Sequence, residues 1–275
     1  MGRGIAQVAA QSGFEVILHD VSGAALKNSL AQIKECFRKW VEKGRITSAD
    51  ATKALSAIHP RKNLNEFGDA DFVIEAAIEV MDVKKEIFRK LDQVVAPHTI
   101  LATNTSSLSV NAIASLTKTP ETVVGMHFFN PAPIMQLVEV VRGEQTSAET
   151  VQRTCDLAGH MKKTPVVCSD TPGFIVNRIA RPFYGEALRM LGEGVASVEE
   201  IDRIVKLSGG FKMGPFELMD LIGIDVNFAV TKSVYEQFFH EPRFRPHPIQ
   251  HQMVESGLLG RKTGRGFYKY DQNDR

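Results

Sequence analysis

The chain has 275 residues, in which 33 Lys and Arg nearly balance 32 Asp and Glu; the length favours two domains, and the charge balance argues against a bulk electrostatic grip on nucleic acid or an anionic membrane. The three scattered cysteines Cys36, Cys155 and Cys168 exclude a disulfide framework or a zinc cluster. No apolar run approaches the roughly 20 residues that cross a bilayer, so the expectation is a protein of the reduced cytoplasm with no metal.

The sequence opens on MGRGIAQVAAQSGFEVILHD. Ile5, Val8 and Ala9 recur at helical spacing, Gly13 reads as a C-cap, and Phe14 to Leu18 form a short apolar strand that leads to Asp20. Helix, strand and terminal acid are the later parts of a dinucleotide-binding βαβ unit, whose first strand and leading glycines would come before Gly2. Ser22 can cap a long helix towards Gly44, and a second helix over Thr47 to Ile58 completes a helical hairpin, residues 22–58. Strands are then expected at Phe72 to Ala76, Thr99 to Thr103, Thr122 to Met126, Gln136 to Val141 and Pro165 to Cys168. Helices at Val83 to Val95, Ser109 to Leu116 and Ser147 to Met161 alternate with them. That alternation predicts an α/β, doubly wound Rossmann-type sheet domain over residues 1–168. From 169 to 275 the pattern changes to helices with no convincing strand, which predicts an all-helical C-terminal domain; Ser197 and Glu200 read as a capping box within it.

Within MHFFNPAPIMQLVEVV, Glu139 lies in an apolar run where a buried acid needs a partner. If the chain reverses around Pro133, His127 faces Glu139 across a hairpin. A carboxylate holding one imidazole nitrogen fixes the tautomer and raises proton affinity, as a general base requires. On spacing alone, a satisfied core histidine beside an edge-strand acid is the favoured reading. ATNTSSLSV places Ser106 in a polar loop after a strand, where open parallel sheets bind ligands, although by itself an ordinary turn with Ser107 or Ser109 capping the next helix is the better reading. DTPGFIVNRI puts Asn177 one turn into a helix, a position open to a capping or a ligand-holding role.

Together HFFNPAP, LVEVV, NTSSLS, DTPGFIVNRI, GPFELMDLIGID and GRKTGRGFYKY resemble the L-3-hydroxyacyl-CoA dehydrogenases, in the family's order and over nearly the whole chain. The resemblance implies His127 as general base, Glu139 as the acid that orients it, and Ser106 and Asn177 at the substrate oxygen. It implies NAD as cofactor, contacted by Gly2, Asp20, Glu79, Lys84, Ser106 and Asn130. Asp20 favours NAD over NADP, since a carboxylate bonds a free ribose 2′-hydroxyl and repels a 2′-phosphate. The substrate implied is a short-chain (S)-3-hydroxyacyl-CoA, with the basic residues Lys27, Lys34, Arg38, Lys39, Lys43 and Arg45 of the hairpin suited to its phosphates, or else simply solvated. The C-terminal domain is expected to form a homodimer. Aligned on the family, Met1 and Gly2 end the glycine-rich loop, so the first strand of the unit is expected to be lacking and NAD binding to be weakened. A dehydrogenase of a free hydroxy acid, or an inactive acyl-CoA-binding dimer, are the alternatives.

Overall fold

The computed structural model describes residues 1–271. The chain divides into two compact units, Met1–Thr171 and Pro172–Arg275.

In the first unit, helix α1 (Gly2–Gln11) leads into strand β1 (Val16–His19), and Ser22 caps helix α2 (Gly23–Glu42) by accepting the Ala25 amide. Helix α3 (Ser48–Ser56) completes the hairpin. The expected extension of that helix to Ile58 is corrected here, because Ile58 opens strand β2 (Ile58–Arg61), which pairs in parallel with β1. Strands β3 (Phe72–Glu75), β4 (Ile100–Thr103), β5 (Val123–Phe128), β6 (Leu137–Arg142) and β7 (Thr164–Ser169) form a second sheet in that order. Its ladders are parallel except for the β5–β6 hairpin. Helices α4 (Met81–Val94), α5 (Val110–Ala114) and α6 (Ala148–His160) make the connections. The central strands are apolar because both of their faces are covered: β4 and β5 are buried at every position.

The two sheets do not join. β1 pairs with β2 alone and β3 with β4 alone, and the facing edges of β1 and β3 line a cleft of about 1740 Å³. Helix α1 spans this division, since Ile5, Val8 and Ala9 belong to the core under the larger sheet and Ala6 and Ala10 to the core under the smaller one.

The second unit consists of α7 (Val176–Gly192), α8 (Val198–Gly209), α9 (Pro215–Ile222), α10 (Ile224–Gln237) and α11 (Pro248–Glu255) around Tyr184, Leu188, Phe216 and Met219. The Ser197–Glu200 capping box forms at the start of α8. Two buried carboxylates then fasten the GRKTGRGFYKY segment. Asp220 accepts from the Phe267 and Tyr268 amides and the Tyr270 hydroxyl, while Asp202 accepts from the Phe216 and Glu217 amides and the Tyr268 hydroxyl. Burial raises the pKa of both acids, and these donors offset part of the rise. Gly266 is required by the close approach, because a Cβ there would lie 2.1 Å from Asp220 Oδ1.

Candidate active site

The β5–β6 hairpin sets His127 directly opposite Glu139 in register, as the alternation of the two strands and the loop between them require. Nδ1 of His127 lies 2.7 Å from Oε2 of Glu139, with side-chain exposures of 8% and 1%. A carboxylate accepts only, so Nδ1 carries the hydrogen of this bond and Nε2 is the imidazole's other functional atom. The Phe129 ring lies 4.6 Å from the imidazole, centroid to centroid. Asn104 holds the end of the strand, its Oδ1 accepting the Phe128 amide at 2.8 Å.

Beyond the carboxyl ends of β3 and β4 lies a connected polar cluster. Glu75, the last residue of β3, accepts both a bidentate approach of Lys84 Nζ at 2.8 and 2.9 Å and the Thr103 hydroxyl at 2.7 Å. Lys84 is wholly buried and also lies 3.3 Å from Glu79. Glu79 Oε1 in turn accepts from Thr105 Oγ1 and from the amide and hydroxyl of Ser106. Burial opposes the Glu79 charge, but the Thr105 hydroxyl, the Lys84 ammonium and the Ser106 amide outweigh it and hold its pKa below the ordinary carboxylate value. Glu75 and Thr103 were not singled out from the sequence; an acid closing the apolar run FVIE was the available signal.

The remaining sites implied by the sequence fall in two places. Gly2, Asp20 and Asn130 line the cleft between the two sheets of the first unit. Asn177 is the second residue of α7 in the second unit. The cleft residues fit a dinucleotide: the ten-residue α1 starts there with no side chain capping it, which leaves its N-terminal end suited to an anion, and the half-buried Asp20 stands just past β1. Asp20 Oδ1 also accepts the Ser22 amide at 2.8 Å, which holds the carboxylate at the strand's end. Of the basic residues on the hairpin, Arg38 pairs with Glu35 and Glu42, and Lys39 with Glu35, as a solvated helix face does. Lys27, Lys34 and Lys43 have no carboxylate within ion-pair distance among the described residues. No group of three or more His, Cys, Asp or Glu among the described residues is arranged to hold a metal ion.

Family models match both units: the 3-hydroxyacyl-CoA dehydrogenase NAD binding domain over residues 1–171 and the 3-hydroxyacyl-CoA dehydrogenase C-terminal domain over 173–270. A probable 3-hydroxybutyryl-CoA dehydrogenase of Deinococcus radiodurans is 46% identical over 270 residues, covering 98% of this chain and 96% of that one. A 3-hydroxyadipyl-CoA dehydrogenase of Escherichia coli is 49% identical over 270 residues; the match covers 98% of this chain but spans only 57% of that longer protein. The crystal structure of (S)-3-hydroxybutyryl-CoA dehydrogenase from Ralstonia eutropha superposes with a TM-score of 0.95 at 41% identity, covering 99% of this chain and 96% of that one. The chain belongs to the 3-hydroxyacyl-CoA dehydrogenase family and, with it, to the NAD-dependent oxidoreductases.

Proposed function

We propose that this chain interconverts a short-chain (S)-3-hydroxyacyl-CoA and the 3-oxoacyl-CoA, with His127 as the proton-transferring group. The observation that carries the reading is the buried His127–Glu139 pair at 2.7 Å. NAD, when bound, supplies the acceptor for the hydride from C3. In the oxidising direction His127 takes the hydroxyl proton at Nε2, and Glu139 stabilises the imidazolium so formed. A base of this kind contributes roughly 10²–10⁴-fold. The Ser106 hydroxyl and the Asn177 carboxamide hold the substrate oxygen as its bond order changes. Glu79, braced by Lys84, sets the loop that carries Ser106. In the cleft, the start of α1 at Gly2 receives the pyrophosphate, Asp20 the adenosine ribose, and Asn130 lies along the same ligand.

The relatives' names support an acyl-CoA substrate over a free hydroxy acid, and they divide between butyryl chains, which end in a methyl group, and adipyl chains, which end in a second carboxylate. Lys27, Lys34 and Lys43 are the cations of the hairpin best suited to the CoA phosphates. The protein works as a homodimer through the second unit, where Ile204, Leu207 and Phe211 are 64%, 74% and 53% exposed, an apolar surface that a partner copy would cover. We place it in the cytoplasm: Cys36, Cys155 and Cys168 are free thiols, and no helix among the described residues is long and apolar enough to cross a membrane. Loss of NADH absorbance on adding acetoacetyl-CoA, and no loss with free acetoacetate, is the expected result. A chain that oxidises NADH with neither compound overturns the reading.

A further inference from the structure

Arg181 follows Asn177 by one turn of α7 and is 4% exposed. Its side chain runs back along the helix, so that Nε donates to the Asn177 carbonyl at 3.1 Å, while Nη1 donates to the Asn227 carbonyl at 2.9 Å and to Thr231 Oγ1 at 2.8 Å. Every one of these acceptors is neutral. Among the described residues no carboxylate lies within ion-pair distance of the guanidinium, and Nη2 has no protein acceptor. Burial accordingly pushes the Arg181 pKa down to about 10.

Asn227, whose carbonyl Arg181 grips, is 1% exposed. Its Oδ1 accepts from Gln250 Nε2 at 2.7 Å, but its Nδ2 is buried with no acceptor. One cluster thus holds a buried guanidinium that meets only neutral oxygens and the Tyr184 ring, 5.1 Å from its Cζ, and, at Asn227 Nδ2, a buried donor lacking an acceptor. What it lacks is a small group that only accepts and that carries negative charge. A carboxylate is planar, offers two oxygens to a guanidinium, and is smaller than a phosphate, which suits surroundings this closed.

We propose that Arg181 and Asn227 form a receptor for the terminal carboxylate of an ω-carboxyacyl-CoA substrate. The inference rests on the reading that Asn177 holds the reacting oxygen. Arg181 lies roughly 5 Å along the helix from Asn177, one turn, and its guanidinium folds back to that residue. Three carbon–carbon bonds beyond C3 span about 4 Å, and the terminal carboxylate oxygen with its hydrogen bond to the folded-back guanidinium covers the rest. An acyl chain ending in methyl leaves the receptor unfilled.

The test compares kcat/KM for reduction of 3-oxoadipyl-CoA and of its ω-methyl ester, by the full chain and by Arg181→Met. The acid should be preferred about tenfold or more by the unaltered protein, and the preference should vanish in Arg181→Met. Equal rates for acid and ester in the unaltered protein, or a preference that survives Arg181→Met, overturn the proposal. Calorimetric binding of adipyl-CoA and its methyl ester to the unaltered protein needs neither the variant nor turnover. Tighter binding of the acid supports the receptor, and equal affinity overturns it. If the ester and acetoacetyl-CoA are turned over while the acid is not preferred, this inference alone fails. If no substrate is turned over, the dehydrogenase reading fails, and the binding comparison still decides the receptor.

Discussion

His127 and Glu139 occupy paired positions of β5 and β6, and their contact lies at a carboxylate whose side chain is 1% exposed. Replacing His127 by Gln keeps the volume and removes the titrating group. The expected outcome is a loss of roughly 10²–10⁴ in kcat with little change in acyl-CoA affinity. Glu139→Gln should lower kcat by less, since the imidazole keeps a hydrogen-bond partner but loses the charge that stabilises its protonated form. Steady-state kinetics check both, and unchanged kcat in His127→Gln would remove the proposed base.

Lys84 places the second prediction on stability. Its ammonium is fully buried between Glu75 and Glu79, so Lys84→Met leaves Glu75 buried without a counter-charge and should cost about 3–5 kcal/mol in urea unfolding. Adding Glu75→Gln to Lys84→Met removes the orphaned charge, and the double variant should regain much of that loss. Additive losses would show that the two side chains do not act as a pair.

The proposed contact of Asp20 with the adenosine ribose carries the third prediction. Asp20→Asn removes the negative charge that disfavours a ribose 2′-phosphate, so the ratio of kcat/KM for NAD over NADP should narrow by about tenfold, roughly 1.4 kcal/mol. A ratio that does not move would detach Asp20 from the ribose.

Acid should loosen α11. His247 caps this helix, its Nδ1 accepting the Ile249 amide at 3.3 Å, and burial, with the nearby Arg189 charge, lowers its pKa. A depressed folded pKa means that the unfolded chain binds the proton more readily. The contribution is therefore complete above the unfolded value near 6.5 and is lost as pH falls through the folded value. The doubly protonated ring cannot accept at Nδ1, so the cap breaks, at about 1 kcal/mol. The melting temperature should fall more between neutral pH and pH of about 5 in the unaltered protein than in His247→Ala; parallel curves would count against it.

Leu207→Glu tests assembly. Leu207 is 74% exposed on α8, and a charge there opposes burial against a second copy. Sedimentation equilibrium should show a dimer for the unaltered chain and a monomer for the variant. A monomeric unaltered chain refutes the proposed contact.

The β5–β6 hairpin was legible because strand periodicity is strict: with the chain reversing around Pro133, residues 127 and 139 face each other. Ser22 and Ser197 announced their helices for the similar reason that capping is local chemistry. β2 was not legible. Ile58-His59-Pro60-Arg61 carries a proline and two polar residues, and it becomes a strand by pairing at the edge of β1. Nor did Glu75 or Arg181 stand out, because what distinguishes each is its burial, imposed by elements 9 and 46 positions away.

Since α1 contributes to the cores beneath both sheets, it works as a rivet between two plates that share no ladder. The plates can part without breaking a single inter-strand bond, and the work required is set by apolar packing alone: Ile5, Ala6, Val8, Ala9 and Ala10 of the helix, with Phe14 and Val16 beside them. Deuterium should therefore enter the bordering amides of β1 and β3 well before those of β5, so that breathing begins along the floor where a dinucleotide would rest.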